Sequence, residues 1–340
     1  MNEVKIIKNV ESTNQQINQN GVELTNQPIN QNGVESTNQP ITNYHIPVLL
    51  QEAIEALNIK EDGVYVDCTF GGGGHSREIL KNLGTNGKLI VFDQDEDAKK
   101  NLPDDERVIF VPQNFRYLQR FLRLHKHAKV DGILADLGVS SHQFDTAERG
   151  FSTRFDAALD MRMDSRQTTT AATVLNSFTE LQLHKMFEKY GEVTNAKTLA
   201  KTIIEQRLIK PFTTINIFKQ SISAVVKGNP NKYLAQVFQA LRIEVNEEMK
   251  VLEEMLEQAK TVLNKDGRVA IITFHSLEDR IVKNFFKNGS IEEQEADDVY
   301  GTRIENPFTI ITKKPIIASA KEQKLNTRSR SAKLRTAQKK

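Results

Sequence analysis

The stretch Tyr65-Val-Asp-Cys-Thr-Phe-Gly-Gly-Gly-Gly-His-Ser76 constrains this chain more than any other. The apolar run Val64–Val66 ends in Asp67, four consecutive glycines follow at Gly71–Gly74, and helical spacing begins at Ser76. Ile79, Leu80 and Leu83 then fall on one face. Strand, glycine loop and helix in that order open a nucleotide-binding αβ unit. Glycine lets the backbone pass within contact distance of a ligand, and a helix N-terminus offers free N–H groups. A tight turn without a ligand needs only one or two glycines.

The next strand, Lys88–Phe92, ends in Asp93, 22 residues past Gly71, where a carboxylate suits ribose hydroxyls. Ser76 occupies the place of the third glycine of a G-x-G-x-x-G read from Gly71, so the dinucleotide fit is poor. Taken alone, the geometry serves NAD and S-adenosylmethionine equally. The alternation continues with a short helix at 96–102, a strand at Val108–Val111, a helix at Phe115–His125 and a strand at Val130–Leu137. Such alternation predicts a parallel sheet flanked by helices, with ligands at the carboxyl ends of the strands. Asp67, Asp93 and Asp136 all stand at such ends and are expected to converge on one pocket.

Upstream, Val48, Leu49, Ala53, Ile54 and Leu57 predict a helix before the first strand. After Leu137 the alternation stops. Helical spacing appears at 170–175, 179–190, 195–208 and 214–226, punctuated by Pro211 and Gly228-Asn-Pro230. This predicts a helical insertion over 140–245. A helix at 246–263, a strand at 268–274, a helix at 279–286 and a strand at 308–312 complete the pattern.

The two ends differ from the middle. Residues 1–43 repeat Glu-Ser/Leu-Thr-Asn-Gln every 12 residues from Glu11, Glu23 and Glu35, a polar pattern that cannot bury a core and predicts a disordered extension. The segment 313–340 carries ten Lys or Arg against one Glu. Its last part, 321–340, reads as a basic tail, either a solvated end or a partner for RNA phosphates. The single cysteine, Cys68, excludes an internal disulfide, and no apolar run approaches the roughly 18–20 residues that cross a membrane. No secretory signal precedes the folded part, so a cytoplasmic location is the expectation. The histidines lack metal-site spacing, so no metal is expected.

Eight stretches in order then match one family. They are Tyr44-His-Ile-Pro-Val-Leu, Asp67 through His75-Ser-Arg77, Asp136-Leu-Gly-Val-Ser-Ser-His-Gln143, Glu148-Arg-Gly-Phe-Ser152, Leu159-Asp-Met-Arg-Met-Asp164, Arg242-Ile-Glu-Val-Asn246, Phe274-His-Ser-Leu-Glu-Asp-Arg280 and Arg328-Ser-Arg-Ser-Ala-Lys-Leu-Arg335. The chain resembles the bacterial RsmH/MraW family, S-adenosylmethionine-dependent methyltransferases acting on the exocyclic N4 of a cytosine in 16S ribosomal RNA. The resemblance implies an α/β fold, a Rossmann-like methyltransferase domain (44–139 and 246–320) with an inserted all-helical domain. It implies cofactor contacts at Gly73, Gly74, His75, Asp93, Phe115, Asp136 and Gln143. The implied partner is 16S rRNA, within an assembled or late-assembling small subunit. The oligomeric state is left open, a homodimer included.

Phosphates could meet Arg149, Arg154 and Arg162 on the insert and Arg328, Arg330, Lys333 and Arg335 near the end. Glu148, Arg149, Asp160, Arg162 and Asp164 could instead form a structural ion-pair network, and Phe115 could be core. Asp136 is the expected proton acceptor. Three departures from the family pattern stand out: Thr69 for a common glycine, His142 for a common proline, and Asn326-Thr-Arg for Asn-Pro-Arg. An NAD-dependent oxidoreductase and a non-catalytic RNA-binding protein are the competing readings.

Overall fold

In a computed structural model, which describes residues 47–291 and 305–340, the helix α1 (Leu50–Leu57) leads into β1 (Val64–Asp67). The repeat expected to be disordered, and Tyr44–Ile46 of the first family stretch, lie outside the described residues. From β1 the chain passes through α2 (Gly74–Asn82), β2 (Lys88–Phe92), β3 (Val108–Val111), α3 (Leu118–Leu124) and β4 (Val130–Asp136). These strands are short apolar runs because both faces of a parallel sheet are covered. One face packs Val66, Ile90, Phe92 and Ile133 against Leu118, Leu122 and Leu252. The other packs Tyr65, Leu89 and Leu134 against Leu57, Ile79 and Leu80. Full burial of such side chains contributes about 1.5–3 kcal/mol each.

The chain then leaves the sheet for α4 (Ser141–Asp145), α5 (Ala171–Ser177), α6 (Glu180–Gly191), α7 (Ala196–Ile209), α8 (Ile215–Ser221) and α9 (Pro230–Asn246). These helices carry a hydrophobic cluster of their own, including Phe187, Leu199, Phe212, Phe218 and Leu241, with Phe212 and Phe218 edge to face at 5.4 Å. The helix α9 went unpredicted. Gly228-Asn-Pro230 reads as a stop, yet it is a start: the Asn229 side chain accepts from Lys232 N–H and Pro230 takes the first helical position, where its missing N–H costs nothing. The helix expected at 246–263 is present over Glu248–Val262. Glu247 is left-handed (φ 49°) and separates α9 from α10 (Glu248–Val262).

The sheet resumes with β5 (Leu263–Thr273), followed by α11 (Ser276–Asn288), β6 (Phe308–Ile310), β7 (Ile316–Ile317), α12 (Ala320–Leu325) and β8 (Lys333–Lys339). The order across the sheet is β3-β2-β1-β4-β5-β8-β6, with β7 also paired to β8. β3 to β5 run parallel, and β8 lies antiparallel to β5 and β6.

The expectation of a basic C-terminal tail over 321–340 is therefore corrected. Its cationic residues hide a strand: Leu334, Thr336 and Ala337 are fully buried. Arg335 pairs with Asp279 of α11 at 2.6 Å, which supplies the counter-charge that lets a basic strand lie inside the sheet.

Candidate functional site

The parallel strands end together, and a cavity of about 450 Å³ opens there. Its lining follows the strand order. Phe115 comes after β3, Asp93 and Asp95 after β2, residues 68–72, Gly74 and His75 after β1, Asp136 and residues 137–144 after β4, and Phe274 after β5. Ligand cavities of a few hundred Å³ at a change of strand direction are typical of open α/β sheets.

The glycine loop is shaped by two constraints. Gly71 is left-handed (φ 50°) and its N–H donates to Asp93 Oδ2 at 2.7 Å, which ties the loop to the end of β2. Gly74 starts α2 against Pro47, whose Cγ would lie 2.1 Å from any Cβ at that position. Gly73 caps α2 from a left-handed conformation (φ 72°) and lies behind the cavity wall rather than in it. Thr69 keeps a negative φ, so the departure from glycine carries no strain. Its hydroxyl accepts from Asp136 N–H at 2.7 Å and thereby locks β4 to the loop.

Asp93 receives one backbone N–H on each oxygen, from Gly71 at 2.7 Å and from Asp95 at 2.8 Å. Each oxygen keeps a lone pair for a further donor. Burial pushes this carboxyl up to about 7, against the lowering effect of those two N–H groups. Asp67 sits behind the cavity, where it accepts from Ser76 Oγ at 2.6 Å and from Thr69 N–H at 3.0 Å, so it orients the loop instead of facing a ligand.

Asp136 is the most exceptional group in the lining. Its Oδ2 lies 3.8 Å from His75 Nδ1, while Oδ1 is buried with no hydrogen-bond partner. Burial, with Asp67 and Glu278 nearby, holds this carboxyl well above the usual carboxylate range. The enclosed Oδ1 disfavours the ionised form, while the side chain stays 18% exposed, so Oδ2 is the oxygen that a ligand in the cavity can reach. His75 Nε2 meets the Val48 carbonyl at 3.0 Å, which fixes the ring.

Gln143 is held on both sides of its amide. Its Oε1 accepts from Ser140 N–H as part of a capping box, and its Nε2 donates to Asp95 Oδ2 at 2.8 Å. His142, in place of proline, reaches Asp97 at 3.2 Å and braces α4 against the turn after β2.

The basic residues separate into two groups. Arg149 donates to Asp95 at 2.7 Å and to the carbonyls of Arg162 and Met163. Arg162 pairs with Asp160 through two nitrogens and caps the carbonyls of Ser165 and Gln167. Together with the buried Arg335, these are joints of the fold. Lys333 also leans on Asp279, at 3.3 Å. Arg154 and Arg328 are different. They flank the Phe144 ring at 5.2 and 5.5 Å and share Asp145 near the cavity, and Arg154 is 57% exposed. Arg330 is exposed.

The family stretch Arg242–Asn246 also reaches the cavity, through Arg242. Arg242 of α9 donates from Nε and Nη2 to the two oxygens of Glu248 at 2.8 and 2.9 Å. Behind it, His275 and Glu278 close the start of α11: Glu278 accepts from Phe274 N–H, and His275 Nδ1 accepts from Glu278 N–H.

Residues 42–340 match the model of the MraW methylase family. The chain belongs to that family. Among curated relatives, the ribosomal RNA small subunit methyltransferase H of Flavobacterium psychrophilum is 54% identical over 293 residues, 86% of this chain and all of the relative. Its counterpart from Bacteroides fragilis (strain YCH46) is 52% identical over 300 residues, 88% of this chain and 98% of the relative. That from Azobacteroides pseudotrichonymphae is 53% identical over 297 residues, 87% and 97% respectively. This is a methyltransferase that uses S-adenosylmethionine. Among the described residues no helix is long and apolar enough to cross a membrane.

Proposed function

We propose that this chain transfers a methyl group from S-adenosylmethionine to the exocyclic N4 amine of a cytosine in 16S rRNA. The observation that carries the reading is the Asp136 carboxyl in the lining of the strand-end cavity, with Oδ1 enclosed by protein and Oδ2 left to meet a ligand. The relatives named as small-subunit rRNA methyltransferases supply the substrate class.

The residues present fit the cofactor. Asp93, with one lone pair left on each oxygen, accepts the two ribose hydroxyls, and Phe115 lies one strand further out, where an adenine would stack. The loop 71–75 approaches the methionine end. Gln143 holds Asp95 and the α4 turn in register behind these groups. When bound, the cofactor supplies an electrophilic methyl group on a sulfonium.

The cytosine amine is a poor nucleophile because its lone pair is delocalised into the ring. Asp136 Oδ2 accepts one amine N–H, localises that lone pair and stabilises the positive charge that develops as the new C–N bond forms. The raised carboxyl suits a group that must keep the proton it receives. The rest of the barrier falls by positioning, since the reaction is an in-line displacement. Arg154, Arg328 and Arg330 lead phosphates toward the cavity. We take the substrate to be 16S rRNA within an assembled or late-assembling subunit.

The test is to map N4-methylated cytosine in small-subunit RNA from cells with and without the gene, and to repeat transfer in vitro on naked 16S rRNA and on subunits. Loss of one methylated cytosine on deletion, restored by wild type but not by Asp136→Asn, is expected. An unchanged methylation map would refute the reaction.

A further inference from the structure

The cavity extends past the groups assigned above to the ribose, the adenine and the methionine end. Groups suited to adenosine lie after β3 and β2, and the loop for the methionine end lies after β1. The lining after β4 and β5 remains, and with it Asp136, Phe274 and Arg242. A methyl acceptor beside Asp136 must therefore lie on this side. Arg242 comes from α9, outside the sheet, and reaches the cavity next to the start of α11.

Its guanidinium is only partly used. Nε and Nη2 bind Glu248 as a fork, and Nη1 makes no hydrogen bond with any described residue. Nη1 is also absent from the fully enclosed polar atoms that lack a partner, so it is open to an incoming group. Glu248 is itself nine-tenths buried, which fixes the orientation of the fork. A planar cation held in this way is a rigid donor.

We infer that Arg242 is the residue that selects cytosine, with Nη1 donating to the ring acceptor N3 of the base. This inference rests on the reaction proposed above. The chemistry is discriminating because N3 accepts in cytosine and donates in uracil. With the amine directed to the acceptor Asp136 and the ring acceptor directed to a donor cation, cytosine satisfies both groups. Uracil would oppose a carbonyl to Asp136 and an N–H to Arg242, leaving buried groups unpaired. The nearby trio Glu248, His275 and Glu278 does not compete as a cation site: His275 Nδ1 accepts a backbone N–H, which places the ring proton on Nε2.

The experiment is a cycle between the residue and the base atom. Target RNA carries cytidine, 3-deazacytidine or 2-thiocytidine at the methylated position, and kcat/KM is measured for wild type and for Arg242→Met combined with Glu248→Leu. Removing both charges together leaves neither member of the Arg242–Glu248 fork unpaired, and Glu278 keeps His275 at 3.1 Å. Wild type should lose about 10–100-fold on 3-deazacytidine, the range expected for a hydrogen bond to a charged group, and little on 2-thiocytidine, which keeps N3. In the double variant 3-deazacytidine should cost under about threefold, with S-adenosylmethionine affinity unchanged. Altered amine reactivity in the analogues cancels, because it enters both proteins alike. If the pair does not fold, Arg242→Lys keeps the charge on Glu248 but lacks the second nitrogen, and should show the same flattening. Equal losses in wild type and variant would overturn the inference, as would a tenfold fall in cofactor affinity, which would place the guanidinium on the methionine carboxylate. Failure of wild type to methylate unmodified cytidine is a separate result, and removes the reaction along with the inference.

Discussion

Cofactor affinity should depend on pH through Asp93, and the size of the effect follows from its surroundings. Burial raises this carboxyl to about 7 in the free protein. Two ribose hydroxyls can donate only to its ionised form, so binding pulls the group down and releases a proton. With a free-state value near 7 and an ionised bound state, the apparent Kd should be about 11-fold weaker at pH 6 than at pH 8.5, and about 2-fold weaker at pH 7. Proton release should approach about 0.9 per cofactor at pH 6 and about 0.5 at pH 7. Calorimetry in two buffers of different ionisation enthalpy reads both quantities. Asp93→Asn should weaken binding by about 1.5–3 kcal/mol and abolish this share of the pH dependence. The cofactor's own amino group titrates with both proteins and cancels in the comparison. The stability of the free protein moves the opposite way. A folded-state value above the ordinary 3.8 means that the native state binds the proton more tightly. The Asp93 contribution therefore grows as pH falls from about 7 toward 3.8. An affinity that is flat from pH 6 to 8.5 in wild type, or equally sloped in Asp93→Asn, would refute the assignment of Asp93 to the ribose.

Further outcomes follow from the same geometry. Asp136→Asn should lower single-turnover methylation by about 10²–10⁴ at saturating substrates, with little change in cofactor affinity. In wild type the rate should climb with pH along a limb displaced above the ordinary carboxylate range, because Asp136 works ionised, and that limb should vanish in the variant. Charge neutralisation of Arg154 and Arg328 together should raise the RNA KM, an effect that shrinks as salt is added, while Arg149→Gln and Arg162→Gln should lower Tm instead. Deleting 1–43 should leave Tm and turnover unchanged, whereas deleting 333–340 should prevent cooperative folding; a shortened protein that melts like wild type would disprove the place of β8 between β5 and β6. Arg335→Met should cost about 1.5–3 kcal/mol in denaturant unfolding, since it removes the nearest counter-charge of Asp279 and leaves Lys333 at 3.3 Å.

The αβ half of the fold was legible because its signals are local. A strand buried on both faces is an apolar run, and Val64–Val66, Lys88–Phe92 and Val130–Leu137 could be little else once a glycine loop and two terminal aspartates accompanied them. The same holds for Asp93 and Asp136, whose places at strand ends are set by the period of the alternation. The C-terminal strand was illegible for the opposite reason. Lys333, Arg335 and Lys339 give the composition of a solvated end, and the feature that makes the segment a strand, Asp279 on α11, lies 56 residues before Arg335. Charge on a sequence is read as exposure until its partner is known. Arg149 and Arg162 repeat the point: their types suggest phosphate contacts, and only the Asp95 and Asp160 carboxylates decide otherwise. Arg242 inverts it. There the partner, Glu248, is only six residues away and engages two nitrogens, so the pair resembles an ordinary helix-junction bridge. What distinguishes it is the third nitrogen, without a bond on a residue that lines the same cavity as the partly exposed Asp136 carboxyl. Neither group is informative alone. A free donor and a free acceptor bordering one cavity define the edge of a base that offers their complements, and that pairing exists only after the chain has folded.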